Sequence, residues 1–206
     1  MRTGREPWMG KRCFDVAVAG TALVLLLPVL ALVGLATRLS SPGPVLFRQV
    51  RVGLDGRHFV LLKFRTMVVG ADRMAANVSA DGDPRIVGVG RFLRRWYLDE
   101  LPQLINVVRG DMSLVGPRPE TPEFVALMDA DEQRVLRVRG GLAGPSTLAF
   151  MDEAELLAGA EDAEQYYTST LLHGRVRVDL SYLELTSFRY DVSLLVRQVL
   201  AILKRL

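Results

Sequence analysis

An uncharged apolar run near the N-terminus constrains the fold of this chain more than any other feature. The run extends from Val16 to Thr37, 22 residues without an acidic or basic side chain. About 20 apolar residues suffice to cross the ~30 Å hydrocarbon core of a bilayer, so its length fits a membrane-spanning helix. Pro28 lies near the middle and removes a backbone hydrogen bond, which predicts a kink or break. It leaves uncharged arms of 12 and 9 residues, each too short to cross alone at about 1.5 Å per residue.

Both flanks of the run are basic. Lysines and arginines favour the cytoplasmic side of a membrane. The residues alone therefore leave two predictions open: a single spanning helix, and a re-entrant helix that breaks at Pro28 and returns to the side it entered. A secretory signal peptide fits less well, because no small-x-small cleavage site follows Gly34. The basic residues are Arg2, Arg5, Lys11 and Arg12 before the run and Arg38, Arg48 and Arg51 after it.

The composition excludes several classes of protein. Half of the 206 residues are hydrophobic and 24% are charged, which excludes a disordered chain and fits one domain with an appendage. The single cysteine, Cys13, cannot form a disulfide within the chain, and with only His58 and His173 a Cys/His metal site is excluded too. The net charge is +3 and the arginines are scattered, so nucleic acid is not a predicted partner.

The remaining sequence is typical of a water-facing domain. We predict a membrane-embedded segment over 1–39 and a cytosolic-facing domain over 40–206. Two strand-like runs, 45–52 and 58–64, flank the turn 53–56 and predict a β-hairpin. The last predicted helix is amphipathic, and we favour its packing on the core over a position at the membrane surface. Helical spacing of apolar residues predicts helices over 86–97, 101–110, 122–138, 152–170 and 190–206.

Two adjacent carboxylates, Asp99 and Glu100, stand where a predicted helix begins. Asp is a favoured N-cap and Pro102 is tolerated in a first helical turn, so helix capping could explain the pair without any function. The neighbourhood favours a site instead, because Asp111 adds a third acid and six arginines lie within 35 residues of one another. Those arginines are Arg85, Arg91, Arg94, Arg95, Arg109 and Arg118.

The segment GPRPE, residues 116–120, holds one guanidinium between two prolines. A guanidinium fixed in this way loses less entropy when it binds an anion, and it matches phosphate oxygens bidentately. Carboxylates without His or Cys favour hard divalent ions such as Mg²⁺ or Mn²⁺. These residues therefore predict an anionic, phosphate-bearing substrate that is handled with a divalent metal at a bilayer surface.

Several stretches of the sequence resemble the bacterial sugar transferase family. They are KFRTM at 63–67, DPR at 83–85, LRRWYLDELPQLINVVRGDMSLVGPRPE at 93–120 and the opening KRCFD at 11–15. The resemblance extends over about residues 11–203, and its longest stretch is highly specific. Members are monotopic phosphoglycosyl transferases. The fold implied here is α+β and mostly helical, with a re-entrant helix hairpin broken at Pro28, a small β-hairpin and amphipathic helices at the membrane surface.

The resemblance also implies a reaction. Sugar-1-phosphate passes from a nucleotide diphosphate sugar, usually a UDP-sugar, to polyprenyl (undecaprenyl) phosphate, and UMP is released. Asp99 is the implied nucleophile, through a covalent aspartyl-phosphosugar intermediate, and Glu100 is implied to assist by metal contact or proton handling. The dyad would bind Mg²⁺, with Mn²⁺ as an alternative. The residues implied to bind substrate phosphate are Arg94, Arg118, Arg85, Arg139, Lys63 and Arg65.

The family further implies a cellular setting. Its members act as monotopic proteins at the cytoplasmic face of the bacterial inner membrane, where they start exopolysaccharide, capsule or glycoconjugate synthesis. The implied partners are therefore the UDP-sugar, undecaprenyl phosphate, the phospholipid membrane and downstream glycosyltransferases. A homodimer is compatible with amphipathic helices near a bilayer.

Two departures from the family pattern bear on these expectations. Leu27 precedes Pro28 where members have serine, so a hydrogen bond that could stabilise the break is missing. Members often carry R-P-G-x-T-G-x-A-Q where residues 139–147 read RGGLAGPST, which predicts a looser segment and leaves the choice of sugar open. Two other functions stay open: a membrane-anchored nucleotide-sugar phosphodiesterase with water as acceptor, and a catalytically silent membrane scaffold.

Overall fold

The apolar run forms two helices that meet at a sharp bend. In the computed structural model, which describes residues 8–74, 78–80 and 82–205, α1 (Lys11–Leu25) and α2 (Leu27–Ser40) are bent by 64°. The predicted break is confirmed, but it lies at Leu26 rather than at Pro28. Pro28 occupies the first turn of α2, where a missing N–H costs no intrahelical hydrogen bond, so the proline starts the second helix.

The membrane character of this pair rests on length and composition. Across the described residues, no single helix is long and apolar enough to cross a bilayer, whereas the bent pair taken together passes the same test. Insertion into a membrane therefore stays a prediction. The basic flank at Arg2 and Arg5 lies outside the described residues.

Nine further helices and four strands follow the bent pair in the described ranges. The helices are α3 (Ala71–Met74), α4 (Gly88–Arg95), α5 (Gln103–Arg109), α6 (Pro122–Val125), α7 (Pro145–Ala149), α8 (Glu153–Ala158), α9 (Ala163–Tyr166), α10 (Leu172–Leu185) and α11 (Phe188–Leu203). The strands are β1 (Leu46–Val52), β2 (His58–Phe64), β3 (Ser113–Val115) and β4 (Gly141–Ala143). The predicted α+β, mostly helical class is confirmed.

One face of the bent pair packs on the domain and another stays exposed. Ala19 is fully buried in the main hydrophobic cluster with Val107 of α5, and Val33 packs with Phe64 of β2. Exposed apolar surface on this scale is typical of an interaction or membrane surface. The side chains more than half exposed are Val24, Leu25, Leu27, Leu32, Leu35 and Leu39.

A buried ionic cluster fastens the start of α1 to α11. Lys11 Nζ lies 3.0 Å from a carboxylate oxygen of Asp15 and 2.8 Å from one of Asp191, and all three residues are at most 1% exposed. The Trp8 indole N–H and the Tyr182 hydroxyl also donate to Asp191, at 3.0 and 2.9 Å. The lysine is thus the cation that compensates two buried carboxylates.

Replacing Lys11 with Met is expected to destabilise the protein by about 3–5 kcal/mol, because it leaves buried charges without their partner. Equilibrium unfolding in detergent measures this loss. The matched control is Arg57→Met, which removes an exposed cation in the β1–β2 turn and should leave the free energy of unfolding nearly unchanged. Equal stability of the two variants would contradict a structural role for the cluster.

The predicted β-hairpin is confirmed. β1 and β2 pair antiparallel, with Val50 opposite Val60, and the connection turns through Asp55 and Gly56, which both have positive φ. The turn residues that mark this connection in the sequence therefore set its register.

Two predicted helices are wrong as single elements, because local aspartates start new turns within them. The helix predicted over 122–138 ends at Val125, and the Asp129 side chain accepts the N–H groups of Asp131 and Glu132 before a 3₁₀ segment begins. The helix predicted over 152–170 is divided at Asp162, whose carboxylate caps α9 by accepting the N–H of Gln165. A π-helical turn, 167–171, then joins α9 to α10.

The C-terminal helix is confirmed as a core-packing element. Leu194 and Gln198 of α11 are buried, and Leu194 belongs to the main hydrophobic cluster. Its outer side remains apolar, with Val196, Val199 and Leu203 about half exposed.

The prediction that residues 139–147 form a loose segment is wrong, because their backbone packs tightly against the 116–119 loop. β4 pairs in parallel with β3, and a Cβ on Gly141 would lie 2.1 Å from the Gly116 nitrogen. A Cβ on Gly144 would lie 2.3 Å from the Gly116 carbonyl oxygen, and one on Gly140 would lie 2.9 Å from Pro119 Cβ. The glycines therefore permit a close backbone contact that supports the 116–119 loop.

Candidate active site

The carboxylate dyad lies in a tight turn between two short helices. α4 ends at Arg95, Tyr97 adopts a left-handed conformation with φ of 55°, and Leu98–Glu100 form a 3₁₀ turn. Such a conformation costs a non-glycine residue about 1–2 kcal/mol and is often found at functional sites. Neither carboxylate caps the 3₁₀ turn or α5, so helix capping does not explain the pair.

Asp99 presents a buried carboxylate that no described residue engages in a hydrogen bond or ion pair. It is 7% exposed. Burial raises its pKa to about 6, the neighbouring Glu100 adds to this rise, and the charges of Lys63, Arg94 and Arg118 oppose it. Asp99 is therefore mostly ionised at neutral pH and available to react.

Glu100 has the opposite environment. Its Oε1 accepts Lys63 Nζ and the Arg118 guanidinium, each at 2.7 Å. Burial works against ionisation, but Arg118 and Lys63 together hold the pKa of Glu100 well below its usual range. A carboxylate that stays ionised cannot deliver a proton near neutral pH, so this geometry favours an electrostatic role over proton handling.

Asn106 holds the strand that carries Lys63. Its side chain accepts the N–H of Leu62 at 3.1 Å and donates to the carbonyl of Val60 at 2.7 Å, so it joins α5 to the edge of β2. It is fully buried. The strand is thereby held in register on the helix that follows the dyad, and Lys63 is aligned with Glu100.

Asp179 positions Arg118. The sequence analysis did not identify Asp179. One carboxylate oxygen accepts the backbone N–H of Arg118 at 2.9 Å and the hydroxyl of Ser146 at 2.7 Å, and the other accepts the N–H of Ser146 at 2.9 Å. Asp179 is 3% exposed. It therefore connects α10 to both the 116–119 loop and the start of α7.

Arg175 is a second missed residue, one helical turn before Asp179. It is buried and donates to the Glu153 carboxylate at 2.6 Å and to the Tyr167 hydroxyl at 3.1 Å. The signal in the sequence is a charged pair at i, i+4 inside an otherwise apolar helical stripe. The buried positions of that stripe are Leu172, Arg175, Val176, Asp179 and Tyr182.

The six predicted phosphate-binding residues occupy different places. Lys63, Arg94 and Arg118 lie around the dyad and line the same cavity as Asp99. The Arg94 guanidinium also donates to the Ser79 hydroxyl at 2.6 Å. These three residues are cations that surround the Asp99 carboxylate.

The other three are held by backbone groups or by a carboxylate. Arg65 donates to the carbonyls of Ser41 and Pro42, at 2.7 Å each, where the chain leaves α2. Arg85 is paired with Asp83 and donates to two carbonyls. Arg139 donates to the Gly110 carbonyl and lines neither of the two cavities that contain Asp99. Phosphate binding by these three stays a prediction.

The dyad lines a cavity of about 720 Å³, a volume typical of small-ligand sites. Its walls come from β2, α4, the 116–119 loop, the 146–155 region and α10. Seven cationic and five acidic side chains line it, and this excess of positive charge suits a polyanionic ligand. The cationic side chains are Lys63, Arg91, Arg94, Arg95, Arg118, Arg175 and Arg205.

For a metal ion, the dyad offers one free carboxylate. Glu100 already pairs with two cations, whereas Asp99 is free to bind. In the described ranges, no three His, Cys, Asp or Glu side chains converge as metal ligands. Mg²⁺ commonly takes one or two protein carboxylates together with substrate phosphates and water, so Asp99 plus a bound diphosphate fits this ion.

Comparison with known proteins assigns the chain to a family. The family model described as bacterial sugar transferase matches residues 6–205. The UDP-glucose:undecaprenyl-phosphate glucose-1-phosphate transferase of Caulobacter vibrioides is 39% identical over 204 residues, which cover 94% of this chain and 69% of that protein. The Escherichia coli protein of the same name is 38% identical over 189 residues, 89% of this chain and 38% of its own length.

A third relative acts on a different sugar by its name. The UDP-N-acetylgalactosamine-undecaprenyl-phosphate N-acetylgalactosaminephosphotransferase of Aeromonas hydrophila is 43% identical over 121 residues, 59% of this chain and 29% of that protein. The chain thus spans between about a third and two thirds of the length of these relatives. Because the family model matches nearly the whole chain, this protein belongs to the bacterial sugar transferase family.

Proposed function

We propose that this protein transfers sugar-1-phosphate from a UDP-sugar to undecaprenyl phosphate and releases UMP. The observation that carries this proposal is Asp99, a buried and unpaired carboxylate that faces three cations in a cavity of ligand size. The names of the relatives support the two substrates. The proposed site of action is the cytoplasmic face of the inner membrane, with the apolar bent pair in the bilayer, as the first step in making an exopolysaccharide or related glycoconjugate.

The first step uses Asp99 as nucleophile. A carboxylate oxygen attacks the phosphorus that carries the sugar, and the bond from that phosphorus to the UMP oxygen breaks. UMP leaves with the electron pair, and the sugar phosphate stays on Asp99 as an acyl phosphate. An ionised carboxylate needs no general base for this attack. Arg94 and Arg118 lie where they would neutralise the charge that grows on the phosphate oxygens.

The second step regenerates the carboxylate. An oxygen of undecaprenyl phosphate attacks the same phosphorus, and the bond to Asp99 breaks. Lys63 and Arg118 keep Glu100 ionised and paired throughout, so the cluster changes its charge only at Asp99. Asp99 and the donor phosphates would hold Mg²⁺, or Mn²⁺, whose charge would screen the diphosphate when bound.

The proposal is tested by measuring UMP release from protein purified in detergent. The reaction contains Mg²⁺ and one of several UDP-sugars, with or without undecaprenyl phosphate. Sustained release that requires the lipid supports the transferase and identifies the sugar. Sustained release without the lipid would instead support the phosphodiesterase, and no release with any donor would favour the silent scaffold.

The first step should depend on pH through Asp99. Its pKa is raised to about 6, so the reactive ionised form is lost as the pH falls through 6. At limiting donor the rate reports the free enzyme, so we expect the second-order rate constant of the first UMP turnover to fall about tenfold per pH unit below this midpoint, since only the ionised fraction reacts. Rapid-quench measurement without lipid between pH 4.5 and 8 gives the profile. A flat rate down to pH 5 would contradict the assignment.

Asp179 should affect activity although its carboxylate holds Arg118 and Ser146 and does not line the cavity. In Asp179→Asn, an amide N–H₂ replaces one acceptor, so either Arg118 or Ser146 loses its partner. We expect kcat/KM for the donor to fall about 5- to 150-fold, which corresponds to the cost of about 1–3 kcal/mol for an unsatisfied buried donor. Steady-state kinetics against UDP-sugar concentration measures it. Glu184→Gln, an exposed acid-to-amide change on the same helix, should behave as wild type.

A further inference from the structure

A second cavity lies on another side of Asp99. It has a volume of about 780 Å³ and lies between the β-hairpin and the segment that follows β2. Most of its wall is apolar, and Phe47, Phe64, Met67 and Val69 contribute to it. Six cations also line it, namely Arg48, Arg51, Lys63, Arg65, Arg85 and Arg94, with Asp99 as the one acid among its lining residues. This cavity therefore combines a mainly apolar wall with positive charge, which suits a ligand that has an apolar chain and an anionic head.

The two cavities share a short boundary. Lys63, Ser79, Arg94 and Asp99 line both of them. The Asp99 carboxylate thus lies at the boundary of both cavities, of which the second has the more apolar wall. The boundary also holds two of the three cations that surround Asp99, so a phosphate entering from either side meets positive charge.

The apolar cavity lies beside the end of the bent helix pair. Pro44 and Val45, four and five residues after α2, line its wall. Val69 is 62% exposed, and one of its methyl groups lies 2.6 Å from where a Cβ on Gly43 would be. The exposed apolar rim of this cavity is therefore in contact with the segment that follows the bent pair.

We propose that the second cavity binds the lipid acceptor, with its phosphate at Lys63 and Arg94 and its first isoprene units against the apolar wall. This rests on the proposed function. The nucleotide sugar would occupy the first cavity, so each substrate reaches the phosphorus on Asp99 from its own side. In the transfer step, an acceptor phosphate oxygen forms the new bond to that phosphorus while the bond to Asp99 breaks and returns the carboxylate. Only the head end of an undecaprenyl chain fits within this volume.

The two half-reactions test this assignment. Ala71 is buried and lines only the second cavity, so Ala71→Leu would fill it, and Val69→Asp would place an acid at its apolar rim. The matched control is Leu127→Asp, an acid in place of an exposed apolar residue that lines neither cavity. For each protein, the first UMP turnover is measured without lipid, and the KM for undecaprenyl phosphate is measured with saturating donor.

The expected result is a difference between the half-reactions. Both cavity variants should keep the wild-type rate of the first UMP turnover and raise the KM for the lipid at least fivefold, while Leu127→Asp changes neither. If a cavity variant slows the first turnover as much as the lipid step, or if both leave the lipid KM unchanged, the acceptor does not bind there. A wild-type protein that releases no UMP would instead overturn the proposed function itself, so the two failures are distinguishable.

Discussion

Replacing Asp99 with Asn is expected to abolish turnover. The amide has nearly the same size as the carboxylate, but it cannot form the acyl phosphate on which the proposed reaction depends. Removing a nucleophile typically costs several orders of magnitude, so we expect UMP release to fall by about 10⁴-fold or more. Purified Asp99→Asn should also acquire no radiolabel from a donor labelled in the sugar phosphate, whereas the wild-type protein should.

The control for this variant is Asp55→Asn, the same change in the exposed β1–β2 turn. Asp55 lines neither cavity, and asparagine tolerates its left-handed backbone well. It should keep wild-type activity and melting temperature. Sustained UMP release by Asp99→Asn at a rate near wild type would rule out the covalent mechanism.

Replacing Arg118 with Met is expected to give the second largest loss. Glu100 would keep only Lys63 as its cation, and the donor phosphate would lose one of the positive charges around Asp99. We expect kcat/KM to fall about 10²- to 10³-fold, in the range seen when one preorganised charge-stabilising group is removed. Steady-state UMP release in the presence of lipid measures this.

The same variant should move the pH profile. The charge of Arg118 lowers the pKa of Asp99, so its removal should raise that pKa and shift the midpoint of the first turnover upward. Arg109→Met is the control, because Arg109 belongs to the same stretch of sequence but is exposed. A loss of activity without a shift of the midpoint would indicate that Arg118 acts only on the donor.

The residues that meet at the candidate site were predictable because most of them lie close together in sequence. Asp99, Glu100 and Arg118 belong to a single stretch, and Lys63 lies in a second one. Residues from α10 were not found, because Arg175 and Asp179 interrupt the apolar periodicity by which a buried helix is recognised. Their roles depend on contacts with distant loops, which local spacing does not reveal.

The bend between α1 and α2 and the glycines of residues 139–147 also show that local sequence does not reveal distant contacts. A proline in an apolar run predicts a break, but the preference of proline for a first helical turn moves that break to Leu26. In the 139–147 segment, the conformational freedom of glycine led to the prediction of a loosely packed loop. The contact of Gly141 with Gly116 shows that the absence of a side chain can instead allow two backbones to meet.

The buried cluster at Lys11 has a consequence for the order of events during biosynthesis. Trp8 and Asp191 are in contact across 183 positions of sequence, so the ribosome makes one side of this cluster long before the other. Until α11 is made, Lys11 and Asp15 lack the residues that complete their burial. The bent pair can therefore pack on α5 and β2 early, but the ionic cluster at Lys11 is complete only after α11 has been made.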